Sequence, residues 1–353
     1  MDTLILGLPA QYYIAMVAKT LVAFVFVLLT VAYATWAERK LIGHMQVRIG
    51  PKRVGPYGLL QPIADGLKLF FKEEIIPDQA SKFAFLIAPL VALIPAFISF
   101  AVIPFGGTVT IAGYQIPLQI AGYYDTALGR VIDVNVGVLY ILAMASLGVY
   151  GIVLAGWASN SKYSLLGGLR SSAQMISYEL AAGLCLVVVF ISSESLSLQK
   201  IVADQAGFGG LAWNLFKSPF LFITGIIFFI CSIAEINRTP FDLPEAETEL
   251  VSGFCTEYSS MKYAMFFMAE YANMVTVCAV TTTLFLGGWN GPILPGWLWF
   301  IIKVYALIAV CMWIRATYPR YRYDQLMRLG WKVFLPSTLL LIVLQALWVM
   351  VVG

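Results

Sequence analysis

Glu179, Glu235 and Glu270 stand where a charge is expensive, each inside or at the end of a run of about twenty apolar residues. An ionisable group in hydrocarbon costs at least about 2.5–3.5 kcal/mol on insertion scales, so it points to function. A carboxyl group deprived of water holds its proton more tightly, which suits a proton relay. For Glu179 a helix–helix hydrogen bond is the competing reading; for Glu235 it is a simple reach to the membrane interface. The chain after Glu235 reads Asn237-Arg238-Thr239-Pro240-Phe241-Asp242-Leu243-Pro244-Glu245-Ala246-Glu247-Thr248-Glu249. Asp242 and Glu245 have capping-box spacing, with Pro244 in the first turn. A short helix there would put Glu245 and Glu249 on one face, where like charges repel and can share a proton. So dense an acidic run is usually a solvated loop. Pro240, Phe241, Leu243 and Pro244 argue instead for a folded loop returning to the membrane.

A second concentration of charge runs from Glu38-Arg39-Lys40 through Gln46-Val47-Arg48-Ile49-Gly50-Pro51-Lys52-Arg53. Such cations usually set topology or meet anionic lipid, but Glu38 beside Arg39 is less ordinary. Asp65 lies among Lys68 and Lys72, paired locally or facing a polar cavity. The five cysteines are widely spaced without a Cys-x-x-Cys pair, and His44 is the single histidine. They read as small apolar side chains, because zinc and iron–sulfur sites need clustered ligands. There is no phosphate-cradling loop, dinucleotide fingerprint or nucleophile elbow. Any redox cofactor therefore belongs to another chain.

The elements that must position these residues follow from composition. Of 353 residues, 60% are apolar and 12% charged, and the mean hydropathy is +0.85. Soluble domains carry roughly twice that share of charge. Disordered, collagenous and disulfide-rich classes are excluded, and an all-α polytopic membrane protein remains. Eight stretches are long enough to cross a hydrocarbon core of about 30 Å: 12–37, 83–105, 134–158, 171–192, 219–236, 263–286, 295–314 and 333–352. They form a single transmembrane domain without internal repeats. Seventeen of the 22 cations fall in the odd-numbered loops and three in the even ones, which puts the odd loops on the cytoplasmic side and both termini outside. The opening lacks the basic region of a cleaved leader, so no removed segment is expected. On this frame Glu179 and Glu270 lie about 12 Å below the cytoplasmic surface, Glu235 closes its helix on the same side, and Lys19 and Lys303 occupy the outer half. Residues 57–72 are too short and polar to span. Leu60, Ile63, Leu67, Phe70 and Phe71 recur at helical spacing opposite Gln61, Asp65, Lys68 and Lys72, which predicts an amphipathic helix lying in the membrane interface.

The runs Glu38-Arg39-Lys40, Gln46-Val47-Arg48-Ile49-Gly50-Pro51, Gln61-Pro62-Ile63-Ala64-Asp65, Ser177-Tyr178-Glu179, the loop from Asn237 to Gly253, Gly287-Gly288-Trp289 and Arg315-Ala316-Thr317-Tyr318-Pro319-Arg320 together resemble one family. It is the quinone-side membrane subunit of respiratory complex I, the NADH dehydrogenase subunit 1 family, and the likeness runs from about residue 12 to the C-terminus. The resemblance implies a subunit joining a hydrophilic redox arm, docked on loops 1, 3, 5 and 7, to a proton-pumping membrane arm. It implies that Glu38, Arg39, Arg48 and Asp65 line a quinone passage between helix 1, the in-plane helix and helix 6. It implies further that Glu179, Glu235, Glu245, Glu247 and Glu249 form an acidic path coupling quinone reduction to proton movement. Quinone is then the substrate, no cofactor is bound by this chain, and flavin (FMN) and iron–sulfur clusters sit on partner subunits. Its surroundings are neighbouring membrane-arm subunits and lipid, with no nucleic acid, in a bacterial cell membrane or a mitochondrial inner membrane. The family gives Glu270 no clear role. Lys52 replaces a common Asn, and helix 3 lacks a carboxylate that some relatives carry. An anchor of a membrane-bound hydrogenase shares the fold and is the alternative, and a secondary transporter is a more distant one.

Overall fold

The computed structural model describes residues 4–5, 8–111, 114–125, 130–244 and 250–352. Nine longer helices organise them: α1 (Ala10–Met45), α2 (Gln61–Phe71), α3 (Lys82–Ile98), α4 (Gly137–Ala158), α5 (Lys162–Ser193), α6 (Pro219–Glu235), α7 (Ser260–Phe285), α8 (Gly296–Thr317) and α9 (Leu335–Val352). Three two-stranded antiparallel hairpins, Leu4–Ile5 with Leu8–Pro9, Thr108–Ile111 with Tyr114–Pro117, and Tyr123–Asp125 with Arg130–Ile132, lie outside the helical core. Seven helical segments among the described residues have the length and apolarity to cross a membrane, the last of them a continuous Tyr323–Val352 that runs into α9. The chain is thus a multi-pass membrane protein. Helix α6 is as apolar but, at 17 residues, shorter.

The helices differ from the apolar stretches at their ends. Helix α5 starts at Lys162, so Lys162 and Arg170 belong to helix and not to a loop. Helix α1 continues past Glu38 to Met45. An apolar window detects the part of a helix that lipid covers, whereas backbone hydrogen bonding carries the helix on into the polar region.

The core sits where α7 packs against α1, α2, α3, α6 and α8, with α4 and α5 closing the opposite side. Lipid tails are as apolar as leucine, so these helices associate through close packing and not through a hydrophobic drive. Small residues make that possible. A Cβ on Gly151 of α4 would lie 2.6 Å from the backbone nitrogen of Ala92 on α3, and one on Gly167 of α5 would lie 2.9 Å from Gly253. Several buried hydroxyls are satisfied within their own helix, as where Thr276, Thr281 and Thr282 of α7 donate to carbonyls one turn back. The outer faces of α1 and α9 expose Ile14, Val17, Leu21 and Val22, and Leu339, Leu340 and Val343.

Candidate functional site

The segment after α6 does not wander into solvent. Gln174 of α5 donates its side-chain amide to the carbonyls of Ala234, at 2.8 Å, and Phe241, at 2.7 Å. The Tyr321 amide donates to the Pro240 carbonyl at 3.0 Å, and the Tyr321 ring stacks on Phe241. Arg320 pairs with Asp242 at 2.7 Å. Phe241 and Leu243 are buried as a result. This folded turn carries Arg238 into the bundle.

There Arg238, 5% exposed, meets Glu38 of α1, 4% exposed, at 2.7 Å. Its Nε donates to Glu270 of α7 at 2.6 Å, and its guanidinium lies over the Tyr271 ring, 4.0 Å from the centroid. The Tyr271 hydroxyl donates to Glu38 at 2.9 Å, and Arg315 at the end of α8 pairs with the other Glu38 oxygen. Two carboxylates and two guanidiniums therefore neutralise one another at the meeting point of α1, α7, α8 and the loop after α6. Burial opposes the charge of Arg238, but Glu270, Tyr271 and Glu38 outweigh it and hold the group well above its ordinary value. Charges so far from water are retained only when paired and hydrogen-bonded.

From this network a line of carboxyl groups leads inward. Glu270 and Glu235 line one cavity of about 50 Å³ with Asn237, Asn273 and Tyr263. Glu235 also borders a second, of about 60 Å³, with Ser99, Ser232, Asn273 and Thr276. Each sets a few polar groups in a largely apolar wall and is large enough for water. Glu179 lies within electrostatic reach of Glu235, accepts a hydrogen bond from Ser146 of α4, and borders a further cavity with Leu142, Leu180 and Leu335.

The remaining candidates separate. Arg39 and Asp65 pair at 2.6 Å, and Gln61 adds a hydrogen bond to Asp65 at 3.0 Å, tying α2 to α1. Asp65 is therefore satisfied locally. Arg48 is exposed and donates to Gln46 at 2.7 Å. Glu245, Glu247 and Glu249 lie outside the described residues. Lys303 pairs with no carboxylate among the described residues. It donates to the carbonyls of Leu286, Gly288 and Asn290 at 2.7, 3.0 and 2.8 Å, which caps the turn after α7 and uses all three of its N–H bonds. Lys19 likewise donates to the Gln119 carbonyl at 2.7 Å. Tyr271 carries no mark of its own in the sequence, and Arg238 and Arg315 read there as topology-setting loop cations. The available signal was Glu270-Tyr271, an acid at depth with no partner on its own helix.

The bundle and its buried acids define a polytopic membrane protein that keeps ionisable groups in its interior. The family model described as NADH dehydrogenase matches residues 18–346. The chain is 80% identical over 342 residues to the NADH-quinone oxidoreductase H-subunit 1 of Geobacter sulfurreducens, covering 97% of both chains. It is 54% identical to the H-subunit 2 of Koribacter versatilis, covering 92% of this chain and 94% of that one. With the H-subunit of Rickettsia bellii it shares 53% over 90% and 88% of the two chains. The chain belongs to the H-subunit family of the NADH-quinone oxidoreductases.

Proposed function

We propose that this chain is the membrane subunit of a proton-translocating NADH:quinone oxidoreductase, contributing part of the quinone chamber and the acidic path that couples quinone reduction to proton movement. It works as part of an enzyme complex, and electron transfer from NADH is supplied by FMN and iron–sulfur clusters of partner subunits. The observation that carries the reading is the cavity shared by Glu270, which is ion-paired to Arg238, and Glu235. A charge change near the Glu38–Arg238 network alters the field at Glu270, and Glu235 faces Glu270 across space that admits water. Glu179 extends the line, and Glu245, Glu247 and Glu249 are assigned to the same path. Arg39, Arg48 and Asp65, with Glu38, border the quinone entry beside α1 and α2. Protons move in this arrangement because carboxyl groups separated by a few waters exchange them readily, while apolar walls deny them other routes.

In this reading the whole chain forms one transmembrane domain with eight spans. Helix α6 is the short one, about 26 Å long, and α2 lies in the interface with its apolar face in lipid. Both termini face the outer side, loops 1, 3, 5 and 7 dock the redox arm, and the site is a bacterial cell membrane. The relatives described above are quinone oxidoreductase subunits, and nothing favours a hydrogenase anchor over them. The test uses membranes containing the assembled complex. Glu235→Gln and Glu179→Gln are expected to lose most NADH-driven proton pumping, followed by quenching of a pH-sensitive dye, while NADH oxidation by ferricyanide is retained. Full pumping with normal quinone reduction in both variants overturns the path.

A further inference from the structure

Two thiols that the acidic path does not use stand side by side. Cys278 of α7 and Cys311 of α8 bring their Sγ atoms to 4.0 Å, on helices that pack directly against each other. Neither is bonded to another sulfur. Cys278 is fully buried and Cys311 is 7% exposed. A disulfide needs a sulfur separation of about 2.05 Å, so closure takes about 2 Å of approach. Rotation about the two Cα–Cβ bonds supplies motion of that order.

The pair lies close to the buried charge network. Cys311 lies one turn from Arg315 on α8, and Cys278 one turn from Met274 on α7. The Met274 sulfur accepts a hydrogen bond from Arg238 at 3.3 Å. The Arg238 guanidinium is within electrostatic reach of both thiols, and its Nη2 is buried with no hydrogen-bond partner among the described residues. The thiolate is the nucleophilic and oxidisable form of such a thiol.

We propose that Cys278 and Cys311 are an oxidative modification site, a dithiol that closes to a disulfide and ties α7 to α8 one helical turn from the Glu38–Arg238 network. The oxidant is a hydroperoxide small enough to cross the membrane, hydrogen peroxide in the simplest case. The more accessible thiolate, Cys311, attacks one peroxide oxygen. A sulfur–oxygen bond forms, the oxygen–oxygen bond breaks, and the departing hydroxide takes up a proton to leave as water. Cys278 then attacks the sulfenic sulfur of Cys311 and displaces a second water. Two thiols lose two electrons and two protons, and one peroxide becomes two waters. The product fixes the relative position of the α7 residues Glu270 and Tyr271 and the α8 residue Arg315, the three that meet around Glu38 and Arg238.

The test exposes membranes containing the intact complex to hydrogen peroxide, alkylates free thiols under denaturing conditions and measures disulfide-linked peptides by mass spectrometry. The Cys278–Cys311 linked peptide is expected to rise severalfold and to disappear after dithiothreitol. NADH-driven quinone reduction falls by half or more in the parent, recovers with dithiothreitol, and resists peroxide in Cys278→Ser and Cys311→Ser. Absence of the linked peptide, or oxidation no greater at this pair than at Cys185, overturns the proposal. Equal peroxide sensitivity in parent and both variants overturns the locking role. Because the linked peptide is read without reference to turnover, it tests the dithiol even if the acidic path is wrong.

Discussion

Arg238 is the residue on which the buried charges depend, because it touches Glu38, Glu270 and Tyr271 at once. Removing one member of a buried pair strands the other, at a cost of about 3–5 kcal/mol, whereas removing both is far milder. Arg238→Gln is therefore expected to lower the melting temperature of the solubilised complex sharply. The double variant Arg238→Gln with Glu270→Gln should recover much of the loss, since Glu38 keeps Arg315. A double variant no more stable than the single would show that pairing is not what holds this site. At this scale the sequence told which residues were unusual but not whom they meet. Glu270 stood out by depth, yet its partner lies 32 positions away, and Glu38 and Arg238 are 200 apart. A cation near a span end looks the same in sequence whether it sets topology or neutralises a buried acid. Lys303 shows the reverse case, an intramembrane charge whose partners are backbone carbonyls and so leave no trace in residue type.

Helices here approach through glycine and alanine, and the geometry separates glycines that are required from those that are not. A methyl group on Gly151 would fall 2.6–2.8 Å from Ala92 atoms of α3, whereas one on Gly183 of α5 meets nothing within 4 Å. Gly151→Ala is expected to cut the amount of chain accumulating in membranes severalfold, and Gly183→Ala to leave it unchanged, as quantitative immunoblotting would report. Equal accumulation would mean that α3 and α4 can part without penalty. The apolar stretches marked the positions of the spanning helices because lipid exposure demands about twenty such residues. Their polar ends were less legible: Lys162 and Arg170 of α5 carry no apolar signal. The returning loop was foreshadowed by Phe241 and Leu243. Its anchors, Gln174 and Tyr321, come from distant elements and obey no local pattern.

For the molecule as a whole, the side on which each end emerges depends on α6. At 17 residues it measures about 26 Å, close to the hydrocarbon thickness of about 30 Å. If it crosses, the spans number eight and the termini share a side; if it does not, they part. A C-terminal alkaline phosphatase fusion is expected to be active and a green fluorescent protein fusion dark, as the proposed orientation with the cation-rich odd loops inside requires. A bright, phosphatase-negative C-terminus would reverse the orientation, and matching fusions at the N-terminus would count the crossings.

Helix α1 runs unbroken from Ala10 to Met45, with exposed apolar side chains along its N-terminal half and Glu38 near its C-terminal end. From Ala10 to Glu38 is about 42 Å, so it is a stiff lever whose short arm carries an ion pair. Each degree by which a thicker or thinner bilayer tilts such a rod shifts Glu38 relative to the far end by about 0.7 Å, from the helical rise. Hydrogen bonds tolerate only a few tenths of an ångström. Arg238 and Arg315 hold Glu38 from two sides, so a tilt of this rod is borne first by these ion pairs.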